Sequence, residues 1–101
     1  DLRFAIHASQ GEFPRVVVAP GDVEECFYTT LEAFNLADKF QIPAIIITDK
    51  YLVESHMAAE PFDQDRIGID RGLLLTEEQY TGGEEYQRHR FTENGISPRA
   101  M

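Results

Sequence analysis

Cysteine is nearly absent: Cys26 is the only one in 101 residues. No intrachain disulfide can form, which fits a reducing cytoplasm, and one thiol cannot hold an iron–sulfur cluster, which typically takes four. Basic residues are also scarce. Nine Lys and Arg face eighteen Asp and Glu, for a net charge of -9, so the clustered cations of a nucleic-acid surface are missing. No apolar run approaches the length of a membrane span, and no signal peptide is visible. There is no G-x-G-x-x-G or Walker loop to cradle a phosphate and no G-x-S-x-G elbow. His7, His56 and His89 do not sit at metal-ligand spacing. Glu54-Ser55-His56 has the residue types of a hydrolase triad, but neighbours on a helix point in different directions. The sequence starts at Asp1, not at a methionine, and reads as a piece from within a longer chain.

What is present is the alternation of an α/β protein. The hydrophobic fraction is 43% and the aromatic fraction 11%, values of a globular chain. Leu2, Ala5 and Ile6 share one helical face, so residues 2 to 9 read as the end of a helix. Gly11 and Pro14 then enforce a loop. "VVVA", residues 16 to 19, reads as a strand buried on both faces. Asp22 as N-cap and Glu25 three residues on open a helix that runs to Phe40. Its Phe27-Leu31-Phe34 stripe is expected to lie on the sheet. Ile42-Pro43 closes it. A second buried strand spans 44 to 48, and a shorter helix, roughly 50 to 59, ends before Pro61. Strands joined through a helix run parallel. Two of them, apolar on both sides, require neighbours and covering helices, so residues 1 to 60 read as a slice of a larger α/β domain.

Residues 61 to 101 are charged, glycine-dotted and weakly periodic. They read as an extended connector that packs on something else, with a short strand or helical turn in "RGLLLTEEQY". Gly82-Gly83 reads as a flexible turn. Arg88-His89-Arg90 is a basic spot that either pairs with carboxylates of a neighbour or lies solvated on an edge. Cys26, inside the long helix, reads as a packing residue.

Two places offer polar groups to a ligand. Asp49 and Lys50 follow the second strand at its carboxyl end, where open α/β sheets bind ligands. The N-cap of the next helix is the favoured role of Asp49, and the two roles are compatible. Ser9, Gln10 and Gly11, with His7 and Glu12 beside them, form a varied polar loop, or simply a helix C-terminus with Gly11 near the C′ position.

Three stretches in order, "GEFPRVVVAPGDVEECFYTTLEAFNLADKFQIPAIIITDKYLVES", "IDRGLLLTEEQ" and "FTENGISPRA", resemble the α subunit of 2-oxoacid:ferredoxin oxidoreductases, especially the 2-oxoglutarate synthase type. The resemblance covers essentially the whole chain. It implies part of a thiamine-diphosphate-binding fold, with parallel strands and flanking helices followed by the extended connector. Residues 1–60 would be the latter part of the pyrimidine-binding domain and 61–101 the connector. It implies oxidative decarboxylation of a 2-oxoacid to acyl-CoA and CO2, with electrons passed to ferredoxin, in the cytoplasm. Thiamine diphosphate with Mg2+ would be shared with a β subunit, and an iron–sulfur cluster would sit in a partner subunit or domain. The catalytic residues would lie outside this chain. Ser9, Gln10, Gly11, Asp49 and Lys50 would lie near the substrate or cofactor, and no metal would be held here. The alternative from another class is a flavodoxin-like receiver or binding module with Asp49 as phosphoacceptor.

Overall fold

The computed structural model describes residues 1–81 and 85–100, so the Gly82-Gly83 turn lies outside the described residues. The elements are α1 (Leu2–Ile6), β1 (Val16–Val18), α2 (Val23–Phe40), β2 (Ala44–Ile46), α3 (Lys50–Glu54) and α4 (Glu77–Thr81). β1 and β2 pair in parallel, Val16 with Ala44 and Val18 with Ile46. The ladder runs from Val16 N–H donating to the Pro43 carbonyl, 2.9 Å, to Ile47 N–H donating to the Val18 carbonyl, 2.8 Å.

The β1–α2–β2 unit forms where the sequence places it. Asp22 is extended and accepts from the Glu25 N–H at 2.8 Å, while the Glu25 carboxylate accepts from the Gly21 N–H at 2.7 Å. This is a capping box shifted one residue outward, and an N-cap of this kind stabilises by about 1 kcal/mol. At the other end Gln41 takes the left-handed conformation, φ 54°. Its side-chain Nε2 donates to the Ser97 carbonyl at 2.5 Å, which offsets that backbone strain. α1 ends under Arg15, whose guanidinium donates to the Ala8 carbonyl and lies 4.1 Å from the Phe13 ring centroid. A cation suits the negative end of a helix.

Three expectations need correction. The stripe of α2 that lies on the sheet is small, not aromatic. Ala33 is 3% exposed, and Thr30, Ala33 and Ala37 line a narrow gap of about 130 Å3 with Ala44 and Ile46. Phe27 instead stacks on Phe62 with centroids 4.5 Å apart, and Phe34, at the margin of the gap, is 70% exposed. Small residues let the helix sit close to the strands, so the large rings fall to the flank. Second, the helix expected over 50 to 59 stops at Glu54, and α1 stops at Ile6 instead of continuing to residue 9. α3 buries no residue, and a short helix without a packed face does not propagate. Third, the strands are half-buried, with Ile46 exposed, because among the described residues the sheet has two strands and both are edges.

Residues 62–72 run along α2 as a strap. The Tyr28 hydroxyl accepts from Asp63 N–H at 3.0 Å, and Arg66 pairs with Glu24 at 3.3 Å. Asn35 reads the strap backbone twice: its Nδ2 donates to the Gly68 carbonyl, 2.7 Å, and its Oδ1 accepts from Asp70 N–H, 2.9 Å. The strand or helical turn expected in "RGLLLTEEQY" is present as both: Leu74 bridges Arg99 in parallel, and α4 follows.

Asp70 carries the one resolved pH dependence of the strap. The N–H of Gly72, donating at 2.9 Å, holds its carboxyl below the ordinary value of 3.8 against the opposing effect of desolvation, with a lesser contribution from Lys39 at 3.5 Å. A depressed carboxyl stabilises above its unfolded value and loses that contribution as pH falls through its folded value. Acidifying the intact protein, with residues 1–101 in their native setting, from about pH 5 to about pH 3 is therefore expected to speed amide exchange at Gly72 relative to α2, once intrinsic exchange is corrected for. An unchanged ratio would show that the carboxylate does not hold the strap.

Candidate functional site

A parallel pair has one carboxyl end, and both strands here deliver a helix N-terminus to it. β1 leads through Ala19-Pro20-Gly21 to α2; β2 leads through Ile47-Thr48 to α3. Pro20 is buried beneath this edge, whereas Thr48, Asp49 and Lys50 are exposed on it. Each helix is stoppered by its own carboxylate: Asp22 on the Glu25 N–H, and Asp49 on the Leu52 N–H at 2.8 Å. The cap reading of Asp49 is thus what the fold uses, and Asp49 remains exposed beside it. Lys50 reaches back to Glu54 at 3.8 Å in an exposed pair that contributes little.

Ser9, Gln10 and Gly11 sit elsewhere. They precede β1, so sheet polarity sets them at the amino side of the strands, away from Asp49 and Lys50. Ser9 and Gly11 both take left-handed conformations, φ 69° and 78°, and all three are exposed. A Cβ on Gly11 would meet nothing within 4 Å, so the turn needs glycine for its backbone angle and not for space. Within this chain the two proposed groups do not meet. Among the described residues no cluster of three His, Cys, Asp or Glu could hold a metal ion. Cys26 is free and half-buried in α2, as a packing residue would be.

A family profile described as pyruvate flavodoxin/ferredoxin oxidoreductase, thiamine diphosphate-binding, matches residues 1–94. The chain belongs to this oxidoreductase family. It is 41% identical over 103 aligned residues to the α subunit of 2-oxoacid:ferredoxin oxidoreductase 1 of Sulfurisphaera tokodaii, covering 100% of this chain and 16% of that protein. It is 49% identical over 76 residues to the corresponding subunit of Aeropyrum pernix, covering 74% of this chain and 12% of the relative. Against the 2-oxoglutarate synthase subunit KorA of Archaeoglobus fulgidus the identity is 39% over 57 residues, 56% of this chain and 16% of the relative. The chain thus spans about a sixth of the length of the curated relatives it matches. The small α/β unit with its parallel pair and flanking helices suits this thiamine-diphosphate-binding family.

The described residues do not by themselves fit the charged end of that cofactor. A diphosphate needs free helix N–H groups or cations, and here Asp22, Glu25 and Asp49 already fill the first turns with negative charge. Sequence reading missed the residues that shape the connector, Asn35, Asp38 and Gly72. The available signal was the polar Asn35-Asp38 spacing on α2, one helical turn apart, facing a glycine-bearing "IDRG".

Proposed function

We propose that this chain forms part of the α subunit of a 2-oxoacid:ferredoxin oxidoreductase, with 2-oxoglutarate as the 2-oxoacid. Residues 1–60 are the latter part of the pyrimidine-side domain and 61–101 the connector toward the next domain. The whole enzyme decarboxylates the 2-oxoacid oxidatively to acyl-CoA and CO2 and passes the electrons to ferredoxin in the cytoplasm. The diphosphate, its Mg2+ and the iron–sulfur cluster belong to a β subunit or another domain. This chain supplies a wall: Thr48-Asp49-Lys50 at one end of the sheet, with the Ser9-Gln10-Gly11 turn as its second polar contribution. The observation that carries the reading is the stoppered carboxyl edge of a sheet whose two strands are both open. Such an edge makes one side of a crevice and leaves the anion to the other side. The relatives named for 2-oxoglutarate support the substrate choice. With the family shown, no observation favours the receiver alternative for Asp49.

The test is an assay of 2-oxoglutarate-dependent, CoA-dependent reduction of ferredoxin. Residues 1–101 alone are expected to give no product, and the full subunit with its β partner to turn over 2-oxoglutarate faster than pyruvate. Product from the isolated chain, or a preference for pyruvate, would contradict the first or the second half of the proposal respectively.

A further inference from the structure

The strap and the segment before residue 101 converge on one carboxylate. Asp38, half-buried on the last turns of α2, has its Oδ2 2.5 Å from Arg71 Nε and its Oδ1 2.6 Å from Arg99 Nη2. The Arg99 contact is an ion pair and not an aligned hydrogen bond, and the Arg99 Nε is buried with no acceptor among the described residues. Asp38 is therefore the group that compensates this guanidinium. The two arginine-bearing segments also hold each other: Leu75 N–H donates to the Arg99 carbonyl at 2.8 Å, and Arg99 N–H to the Leu73 carbonyl at 3.0 Å. Gln41, three residues past Asp38, takes the Ser97 carbonyl, and the Ser97 hydroxyl donates to the Arg90 carbonyl at 2.6 Å.

We propose that Asp38 is a shared latch, coupling the end of the strap with the stretch that follows it, residues 66–75, and the segment 96–100 into one unit that docks on and lifts from α2 as a whole. The physical basis is that one anion neutralises two guanidinia from segments far apart in sequence. Removing it leaves the Arg99 charge half-buried and uncompensated, a larger penalty than losing either exposed pair along the strap. Apolar contact between the strap and α2 comes from Phe62 stacked on Phe27 at its start and from Ile67, which lines one cleft with Leu31 and Phe34. At the other end, with Asp38 gone, Asn35 and Lys39 are the side chains of α2 that still hold the strap.

Hydrogen exchange of the whole α subunit in complex with its β partner, followed residue by residue, tests this. In Asp38→Asn the amides of Asp70 and Gly72 on the strap and of Leu75 and Arg99 in the bridge are expected to exchange faster together. The expected factor is on the order of tenfold, with α2 amides between Phe27 and Phe34 unchanged. Adding Arg99→Gln to Asp38→Asn removes the uncompensated charge and should bring no further rise at these amides, whereas Arg99→Gln alone should raise them. The proposal is overturned if only one segment responds, if the rise spreads equally through α2, or if the two substitutions add.

Discussion

Purified alone, residues 1–101 are expected to stay expanded and to lose structure gradually on heating, without a sharp transition. The radius of gyration is 17.3 Å and the extents 53 × 36 × 20 Å, where a compact chain of this length has a radius near 13 Å. The exposed surface is 8392 Å2, against about 5,800 Å2 for a folded monomer of this mass. The surplus of roughly 2,600 Å2 exceeds what one partner contributes to a standard interface. Its apolar part, at about 25 cal/mol per Å2, withholds tens of kcal/mol as an upper estimate. Net stabilities are only about 5–15 kcal/mol, so the shortfall is decisive. Tyr51, at 85%, and Ile69, at 86%, show where that surface lies. Solution scattering with a thermal scan checks the prediction. A radius near 13 Å with one steep melting transition would show that the chain closes on itself.

The second large effect belongs to Gly72. Its φ is +58°, and a Cβ built on it would lie 2.7 Å from Lys39 Cα and 2.8 Å from the Asp38 carbonyl oxygen. Both are helix backbone atoms, which cannot swing aside as a side-chain tip can. Gly72→Ala must therefore lift the strap off α2 as well as strain its own backbone, at a combined cost of about 3 kcal/mol. Gly95 provides the control. Its φ is +76° but a Cβ there meets nothing within 4 Å, so Gly95→Ala carries only the backbone term of about 1 kcal/mol. In the whole subunit with its β partner, exchange at Leu75 should accelerate on the order of a hundredfold in the first variant and several-fold or less in the second. Equal effects would mean that close approach to α2 plays no part.

Local chemistry made the β1–α2–β2 unit legible. Asp22 and Asp49 declare their caps through short-range spacing, and the two short apolar runs, rich in β-branched residues and joined through a helix, point to parallel strands. The limits were set by distance along the chain. Phe27 meets Phe62, Asn35 meets Asp70, and Asp38 meets Arg99, contacts that periodicity within a helix cannot announce. Side-chain size decided which stripe of α2 faces the sheet, and a pattern of apolar positions alone favoured the aromatic one. α3 ends at Glu54 because residues 55 to 59 have no surface to cover, which the sequence ahead of Pro61 does not announce. The site itself was legible only as a carboxyl edge with polar groups. That the edge is stoppered by carboxylates follows from the hydrogen bonds of Asp22, Glu25 and Asp49.

The central claim is that this chain is one wall of a thiamine-diphosphate crevice and that the cofactor's charged end is held from the other side. Calorimetric titration of residues 1–101 with thiamine diphosphate and Mg2+ addresses it directly. No saturable heat is expected up to about 1 mM cofactor, and micromolar, saturable binding by the chain alone would contradict the claim.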